Sequence, residues 1–254
     1  MPFAQIESQK VFYAARGVSG APLVFIHGAG DSHLLWNRQL AALADVARVM
    51  AMDLPGHGRS AGEGRKTIDE YAIAVREFLD ALDISQAVII GTSMGGAIAL
   101  TCALEFAERV MGLGLVATGA KLRVAPAFLQ GLQMDFEATV QILVEHYYAP
   151  NAPAALKAKS AQQLLKTGAP VTYGDYAACD AFDVRERLGK IRVPTLVVGG
   201  TADRMTPLKY SEFLAAQIPH AQLVVIEGAG HMLMLEQPDA LNDVLRRWLA
   251  TLSL

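Results

Sequence analysis

Short hydrophobic runs alternate along the chain with segments in which apolar residues recur at helical spacing. In one such segment Ile68, Val75 and Phe78 fall on a single helix face, directly after a capping-box sequence at residues 67–70. The hydrophobic runs cover residues 22–28, 47–56, 87–91, 110–117, 194–200 and 221–228. Strands that are apolar throughout and alternate with helices predict an α/β fold with a mostly parallel central sheet flanked by helices.

Both ends of the chain extend this pattern. Residues 3–16 are typical of an antiparallel hairpin at one edge of the sheet. Near the other end, Leu241, Leu245 and Trp248 belong to one apolar helical stripe. Pro207 and Pro238 follow the last two strands, and each is expected at the first position of a helix.

The alternation breaks between residues 121 and 187. This stretch is rich in alanine, carries scattered aromatic residues and contains no clear strand. It is interpreted as several helices inserted between two strands. The predicted organisation is therefore an α/β core formed by residues 1–120 and 188–254, with a helical cap formed by residues 121–187.

Residues 84–104 contain no charged side chain, and two interpretations compete for them. A membrane span needs about 20 predominantly apolar residues in one helix. Three glycines, Gly91, Gly95 and Gly96, lie at the centre of the stretch, where they disfavour a continuous helix. A buried strand, a tight turn and a buried helix explain the same residues better, so no membrane association is expected.

Composition narrows the class of protein further. The chain has 254 residues, of which 52% are hydrophobic, and a net charge of −3 without a basic face, so nucleic acid is not an expected partner. Its first residues lack the long apolar segment of a signal peptide. Cys102 and Cys179 are interpreted as free buried thiols in a reducing compartment. A cytoplasmic protein, either a monomer or a small homo-oligomer, is expected.

Ser93 lies between the run at 87–91 and the apolar residues that follow it, in the sequence GTSMGG. Gly91-x-Ser93-x-Gly95 matches a motif that places serine on a very tight turn from a strand to a helix. The turn needs glycine because side chains at positions 91 and 95 would collide with neighbouring backbone. The pattern predicts a nucleophilic serine at the carboxyl edge of the sheet; the alternative is a glycine-rich turn with a serine of no special role.

A serine hydroxyl needs a base, and the base needs an acid to orient it. His231 follows the run at 221–228, and Asp203 follows the run at 194–200, so both are expected at the same sheet edge as Ser93. The order Ser, Asp, His along the chain accompanies this type of turn. Asp203 could instead cap the next helix, and Asp53, at another strand end, is a rival acid.

The remaining predicted site residues surround these three. The backbone N–H groups of Ala29, in the sequence HGAG, and of Met94 are candidates for an oxyanion hole. His33 lies near enough to Ala29 to line a pocket, and Met205 and Met232 could give it apolar walls. His27 and His57 are expected to hold their own loops. The sequence has no metal-ligand spacing or nucleotide-binding motif, so no cofactor is expected.

The chain resembles the α/β-hydrolase family over essentially its whole length. The matching pieces are HGAG at 27–30, DLPGHGRS at 53–60, GTSMGG at 91–96, GGTAD at 199–203 and GAGHMLMLEQP at 228–238. The resemblance implies Ser93 as nucleophile, His231 as general base and Asp203 as orienting acid. It also implies Ala29 and Met94 as oxyanion donors and residues 121–187 as a cap over the active site. Many relatives carry histidine where this chain has Thr92, which is not a member of the triad.

These features predict a serine hydrolase that cleaves small-molecule carboxylic esters through an acyl-enzyme. A cap rich in alanine and aromatic residues predicts an apolar pocket of limited length, with an optimum at acyl chains of about C4–C8. Thioesters or lactones could be cleaved by the same residues. Carbon–carbon bond hydrolysis and a ligand receptor that retains the triad are more distant alternatives.

Overall fold

The computed structural model describes residues 3–252, and its centre is an eight-stranded sheet. Two antiparallel pairings, β1 with β2 and β2 with β4, bring the amino-terminal hairpin to one edge, and all other neighbours are parallel. The predicted mostly parallel sheet and its edge hairpin are therefore confirmed. In chain order the strands are β1 (Phe3–Ile6), β2 (Gln9–Arg16), β3 (Pro22–Ile26), β4 (Arg48–Met52), β5 (Ala87–Thr92), β6 (Val110–Val116), β7 (Thr195–Gly200) and β8 (Gln222–Ile226). Their order across the sheet is β1-β2-β4-β3-β5-β6-β7-β8.

Helices follow most of the strands, as the periodicity of the sequence predicts. The capping box is formed at the start of the second helix, where the Thr67 side chain accepts a hydrogen bond from the Glu70 N–H. In chain order the helices are α1 (Asn37–Ala42), α2 (Ile68–Ala81), α3 (Met94–Glu105), α4 (Pro126–Met134), α5 (Phe136–Tyr147), α6 (Ala154–Thr167), α7 (Ala169–Ala181), α8 (Lys209–Gln217), α9 (Leu233–Glu236) and α10 (Pro238–Leu249).

Both faces of the sheet are buried, because successive residues of a strand point to opposite sides. In β3, Val24 and Ile26 pack with α2 and α3 on one face, whereas Leu23 and Phe25 pack with α1 and α10 on the other. All four side chains are fully buried. This double burial explains why the central strands are apolar at every position instead of alternating.

The uncharged stretch at 84–104 forms β5 and α3, which meet at Ser93. It is therefore a strand and a helix of the core and not one continuous helix. Within residues 3–252, no helix has the length and hydropathy required to cross a membrane.

Four helices, α4 to α7, lie between β6 and β7, where the sequence predicts an insertion. Lys121 and Asp183 form an isolated antiparallel bridge at the two ends of this segment, and their side chains form an ion pair of 3.0 Å. We call α4 to α7 the helical insertion. Its ends are thus held together, so the insertion leaves the sheet and returns to it at one place.

Two details differ from the sequence-based expectation. Pro238 is the first residue of α10, as predicted, but α8 begins at Lys209, two residues after Pro207. The intervening residues belong to the loop that carries Asp203, which is longer than the motif suggests. β8 is an edge strand, and Leu223 and Val225 are exposed by 37% and 42%, although the apolar run predicts full burial.

Candidate active site

The turn between β5 and α3 holds Ser93 in a conformation that few residues adopt. Its φ is 52° and its ψ is −119°. A Cβ on Gly91 would lie 2.0 Å from the Gly95 carbonyl oxygen, and one on Gly95 would lie 2.3 Å from the Ile26 carbonyl oxygen. The two glycines are thus required by the close approach of backbone, as predicted, and the turn presents Ser93 at the carboxyl edge of the sheet.

Hydrogen bonds keep the Ser93 backbone in place. Its N–H donates to the carbonyl oxygens of Val116 and Ala117, both at 3.1 Å. Its carbonyl oxygen accepts from the Thr118 hydroxyl at 2.7 Å and from the first turn of α3. The strained conformation is therefore stabilised by the end of the neighbouring strand β6.

His231 and Asp203 are in direct contact. Nδ1 of His231 donates a hydrogen bond of 2.9 Å to Oδ2 of Asp203, and both side chains are buried. With its proton on Nδ1, the neutral imidazole leaves Nε2 as a proton acceptor. The Ser93 Oγ makes no hydrogen bond within the described residues. In catalytic sites the hydrogen bond between the nucleophile and its base is often long without substrate and tightens when substrate binds.

The Asp203 carboxylate serves two purposes at once. Oδ1 accepts hydrogen bonds from the N–H groups of Met205 and Thr206, at 2.8 and 2.9 Å, while Oδ2 faces His231. Burial alone would raise the pKa of Asp203, but attraction to His231 and the hydrogen bonds from His231 and Thr206 outweigh it and lower that pKa. Asp203 is therefore ionised at neutral pH. It does not cap the next helix, which begins at Lys209, but it caps the turn at Met205 and Thr206 and contacts His231.

The two predicted oxyanion donors both lie close to Ser93. Ala29 follows β3 and lines the same cavity as Ser93, and Met94 is the next residue in the chain. Within residues 3–252, neither backbone N–H donates a hydrogen bond to another group. A Cβ on Gly28 would lie 3.4 Å from the Ser93 Cβ, so the Ala29 loop packs directly against the serine.

A cavity of about 60 Å³ connects these groups, and Ser93 and His231 both line it. Met205 and Met232 lie in its wall, as predicted, together with residues of the helical insertion such as Tyr147 and Tyr176. His33 does not line the cavity, which corrects the sequence-based prediction. Its ring Nδ1 instead donates a hydrogen bond of 2.8 Å to Asp53.

Asp53, the rival acid, supports loops and makes no contact with His231 among the described residues. Its oxygens accept from the His33 N–H and ring and from the Arg59 N–H. His27 and His57 hold their loops, as predicted: His27 Nδ1 contacts the Gly28 carbonyl oxygen, and His57 contacts the Pro55 carbonyl oxygen. His27 Nε2 also accepts from the Leu54 N–H and so joins the two loops.

Two further residues of the site were not predicted from the sequence. The Thr206 hydroxyl donates to Oδ2 of Asp203 at 2.9 Å. The Tyr147 carbonyl oxygen, at the end of α5, accepts from the N–H groups of His231 and Met232 at 2.8 and 3.1 Å. A hydroxyl residue three positions after Asp203 could have suggested the first contact, but no local signal points to the second.

Asp31 is a titratable group in the cavity wall, and it gives a pH prediction. Burial raises the pKa of Asp31 to about 7. When folding raises the pKa of an acid, its protonated form contributes to the stability of the protein. This contribution is complete below the unfolded-state pKa and is lost as pH rises through the folded-state pKa. The melting temperature of Asp31→Asn, measured relative to the wild type, should therefore increase between roughly pH 4 and pH 8.

Asp183→Asn is the matched control for this measurement. Hydrogen bonds from Arg185 and Lys121 hold the pKa of Asp183 below its ordinary value, so its contribution is lost only in acid. Its difference from the wild type should stay constant from roughly pH 5 to pH 8. A constant difference for Asp31→Asn over the same range would contradict the raised pKa.

Three features together define the class of protein: the sheet order, the turn at Ser93 and the His231–Asp203 pair. They are typical of hydrolases built on a parallel sheet with a serine at a strand–helix turn. The sequence model of the alpha/beta hydrolase family matches residues 23–244. The chain belongs to the alpha/beta hydrolase family.

Individual relatives are similar along nearly the whole chain. The 3-oxoadipate enol-lactonase 2 of Acinetobacter baylyi is 32% identical over 243 residues, which cover 91% of this chain and 89% of the relative. A solved thermophilic esterase is 35% identical, with a TM-score of 0.88 and coverage of 99% of this chain and 97% of that one. Est816, solved as an N-acyl homoserine lactone degrading enzyme, is 30% identical, with a TM-score of 0.89 and coverage of 97% and 99%. The chain is thus similar along nearly its whole length to esterases and lactonases of this family.

Proposed function

We propose that this protein is a serine hydrolase that cleaves carboxylic esters of short to medium acyl chains through an acyl-enzyme on Ser93. The observation that carries the proposal is the strained Ser93 turn on the same cavity as His231, whose Nδ1 is bonded to the ionised Asp203. A nucleophile, a base and an orienting acid are the parts that acyl transfer needs.

In the proposed reaction, Ser93 Oγ attacks the ester carbonyl and His231 Nε2 takes the hydroxyl proton. The carbonyl oxygen becomes negative and is stabilised by the N–H groups of Ala29 and Met94, and by the positive end of α3. His231 then gives the proton to the departing alcohol, which leaves an acyl group on Ser93. Water, activated by the same Nε2, releases the acid and restores the serine.

Asp203 acts through His231 in this scheme. Its negative charge fixes the imidazole with the proton on Nδ1 and stabilises the imidazolium that forms during each half-reaction. The hydrogen bonds that Asp203 accepts from Met205 and Thr206 keep its carboxylate in position. The methionines Met205 and Met232 form part of the apolar wall around the substrate, and residues 121–187 act as the cap.

Acyl-chain length is the first measurable consequence. Each buried methylene contributes about 0.8 kcal/mol until the pocket is full. With p-nitrophenyl esters, kcat/KM should rise from acetate, peak at about C4–C8 and fall for longer acyl chains. A flat profile from C2 to C16, or a maximum at C14, would contradict a size-selecting cap.

Lactone hydrolysis is the second candidate, and the names of two relatives favour it. The enol-lactonase of A. baylyi and Est816 are both similar to this chain over nine-tenths of its length. A lactone is an internal ester, so Ser93, His231 and Asp203 would play the same parts. Assay of simple esters, γ- and δ-lactones and acyl thioesters side by side ranks these substrates by kcat/KM. Higher kcat/KM on lactones than on any matched open-chain ester would replace the carboxylesterase proposal by a lactonase.

A further inference from the structure

The loop that carries Ala29 is held by the helical insertion at the next residue, Gly30. The Gly30 N–H donates a hydrogen bond of 2.8 Å to Oδ2 of Asp175, on α7. The Gly30 carbonyl oxygen accepts one of 2.7 Å from the hydroxyl of Thr167, the last residue of α6. Both polar groups of one backbone residue are therefore bonded to side chains 137 and 145 positions away in sequence.

Gly30 also fits tightly against the same two helices. Its φ of 68° is unfavourable for other residues, and a Cβ would lie 2.4 Å from Cδ2 of Leu164, on α6. A Cβ would also lie 3.2 Å from the Thr172 hydroxyl, on α7. The loop is thus bonded and packed against the insertion, so a displacement of α6 or α7 displaces Gly30.

Asp175 joins the insertion to three parts of the core. Its side chain is fully buried, and besides Gly30 it accepts hydrogen bonds from His57 Nε2 at 2.7 Å and from the Tyr71 hydroxyl at 2.6 Å. Burial lowers the pKa of His57, but the charge and the hydrogen bond of Asp175 outweigh this and raise it. Removal of one partner from such a buried group is costly, so the position of Asp175 is strongly determined.

The residues on both sides of Ala29 are held by hydrogen bonds, which restrict where the Ala29 N–H points. The Gly28 carbonyl oxygen, in the same peptide unit as the Ala29 N–H, accepts from His27 Nδ1 at 2.8 Å and from the Asp31 N–H at 3.3 Å. In a trans peptide the N–H points opposite to the carbonyl group. With Gly28 held on one side and Gly30 on the other, the Ala29 N–H is left without an acceptor in the described part of the chain, on the loop that lines the cavity.

We infer that Asp175 and Thr167 are positioning residues, through which the helical insertion orients the Ala29 N–H for the developing oxyanion. This inference rests on the proposed function, because it requires a reaction at Ser93. It makes the insertion part of the catalytic arrangement: the oxyanion hole is complete only while α6 and α7 are seated on the Gly30 loop. Oxyanion donors must be held in place before the reaction to be effective, and a small misplacement reduces the rate.

Thr167→Val and Thr167→Ser form the decisive pair of variants. Valine has nearly the shape of threonine but cannot donate to Gly30, whereas serine can. Thr167 is only partly buried, so both variants are expected to fold. Thr167→Val should lower kcat on the best p-nitrophenyl ester about 10-fold, with KM changed less than about 2-fold, and Thr167→Ser should restore most of the rate.

A boronic acid that forms a tetrahedral adduct with Ser93 provides the second readout, because its oxygen occupies the oxyanion hole. Its inhibition constant should rise in Thr167→Val by about the same factor as kcat/KM falls. Asp175→Leu, which has a similar shape but no acceptor for the Gly30 N–H, should show the same pattern. Tyr71→Phe removes another Asp175 contact but leaves Gly30 bonded, so it should lower the melting temperature without lowering kcat.

The outcomes separate the two proposals. Equal kcat and equal boronate inhibition for Thr167→Val and Thr167→Ser would overturn the positioning role, even if Asp175→Leu failed to fold. A loss of kcat in Tyr71→Phe as large as the loss in a folded Asp175→Leu would also overturn it, since the loss would then follow stability alone. A wild-type protein that neither turns over esters nor binds the boronic acid would overturn the proposed function together with the inference.

Discussion

Replacement of Ser93 by alanine is expected to lower kcat on esters by about 10⁵–10⁶ while the fold is retained. The chemical step requires the hydroxyl, and neither His231 nor Asp203 can act without it. Stability should be almost unchanged, because the Ser93 Oγ makes no hydrogen bond within residues 3–252 and alanine keeps the Cβ. Measurement of kcat on the best substrate tests the loss of activity, and the melting temperature tests the retained stability.

Thr118→Val is a useful control for this variant. The Thr118 hydroxyl bonds the Ser93 carbonyl oxygen, so its loss should reduce stability while much of the activity remains. Ser93→Ala with more than about one hundredth of the wild-type rate would contradict the assignment of the nucleophile.

Replacement of Asp203 by asparagine should lower kcat by about 10³–10⁴. Asparagine has similar size but no charge, and its NH₂ group cannot accept a hydrogen bond from His231 Nδ1. The imidazole then loses its orientation and the stabilisation of its charged form. Steady-state kinetics with esters of graded length would show the loss in kcat, with KM changed much less.

Asp53→Asn is the comparison that decides between the two acids. Asp53 contacts His33 and Arg59, so its substitution should affect stability more than the chemical step. If a folded Asp53→Asn lost its activity while Asp203→Asn remained close to the wild type, the acid would be assigned wrongly.

The strand–turn–helix unit around Ser93 could be predicted because its physics is local. Gly91 and Gly95 are needed for a close approach of backbone within a few residues, and the flanking apolar runs are explained by burial on both faces of the sheet. Asp203 and His231 could be placed at the same edge because parallel strands all end there. The family motifs then supplied the expected roles.

The contacts of the helical insertion could not be predicted, since they depend on tertiary packing. Asp175 contacts Gly30, His57 and Tyr71 across separations of 145, 118 and 104 residues. The hydrophobic periodicity of the sequence does not indicate contacts between such distant residues. His33 was placed wrongly for the same reason. Its distance in sequence from Ala29 is short, but the end of β4 brings Asp53 beside it, and the ring turns to that carboxylate.

Labelling with a fluorophosphonate probe tests the central claim most directly, because such probes react covalently only with a serine activated by a neighbouring base. Intact-mass analysis should show one adduct per chain, and peptide mapping should place it on Ser93. Prior incubation with the best ester substrate should slow the labelling, and Ser93→Ala should take up no probe. An adduct on another residue, or a folded and active protein that is not labelled at Ser93, would contradict the account.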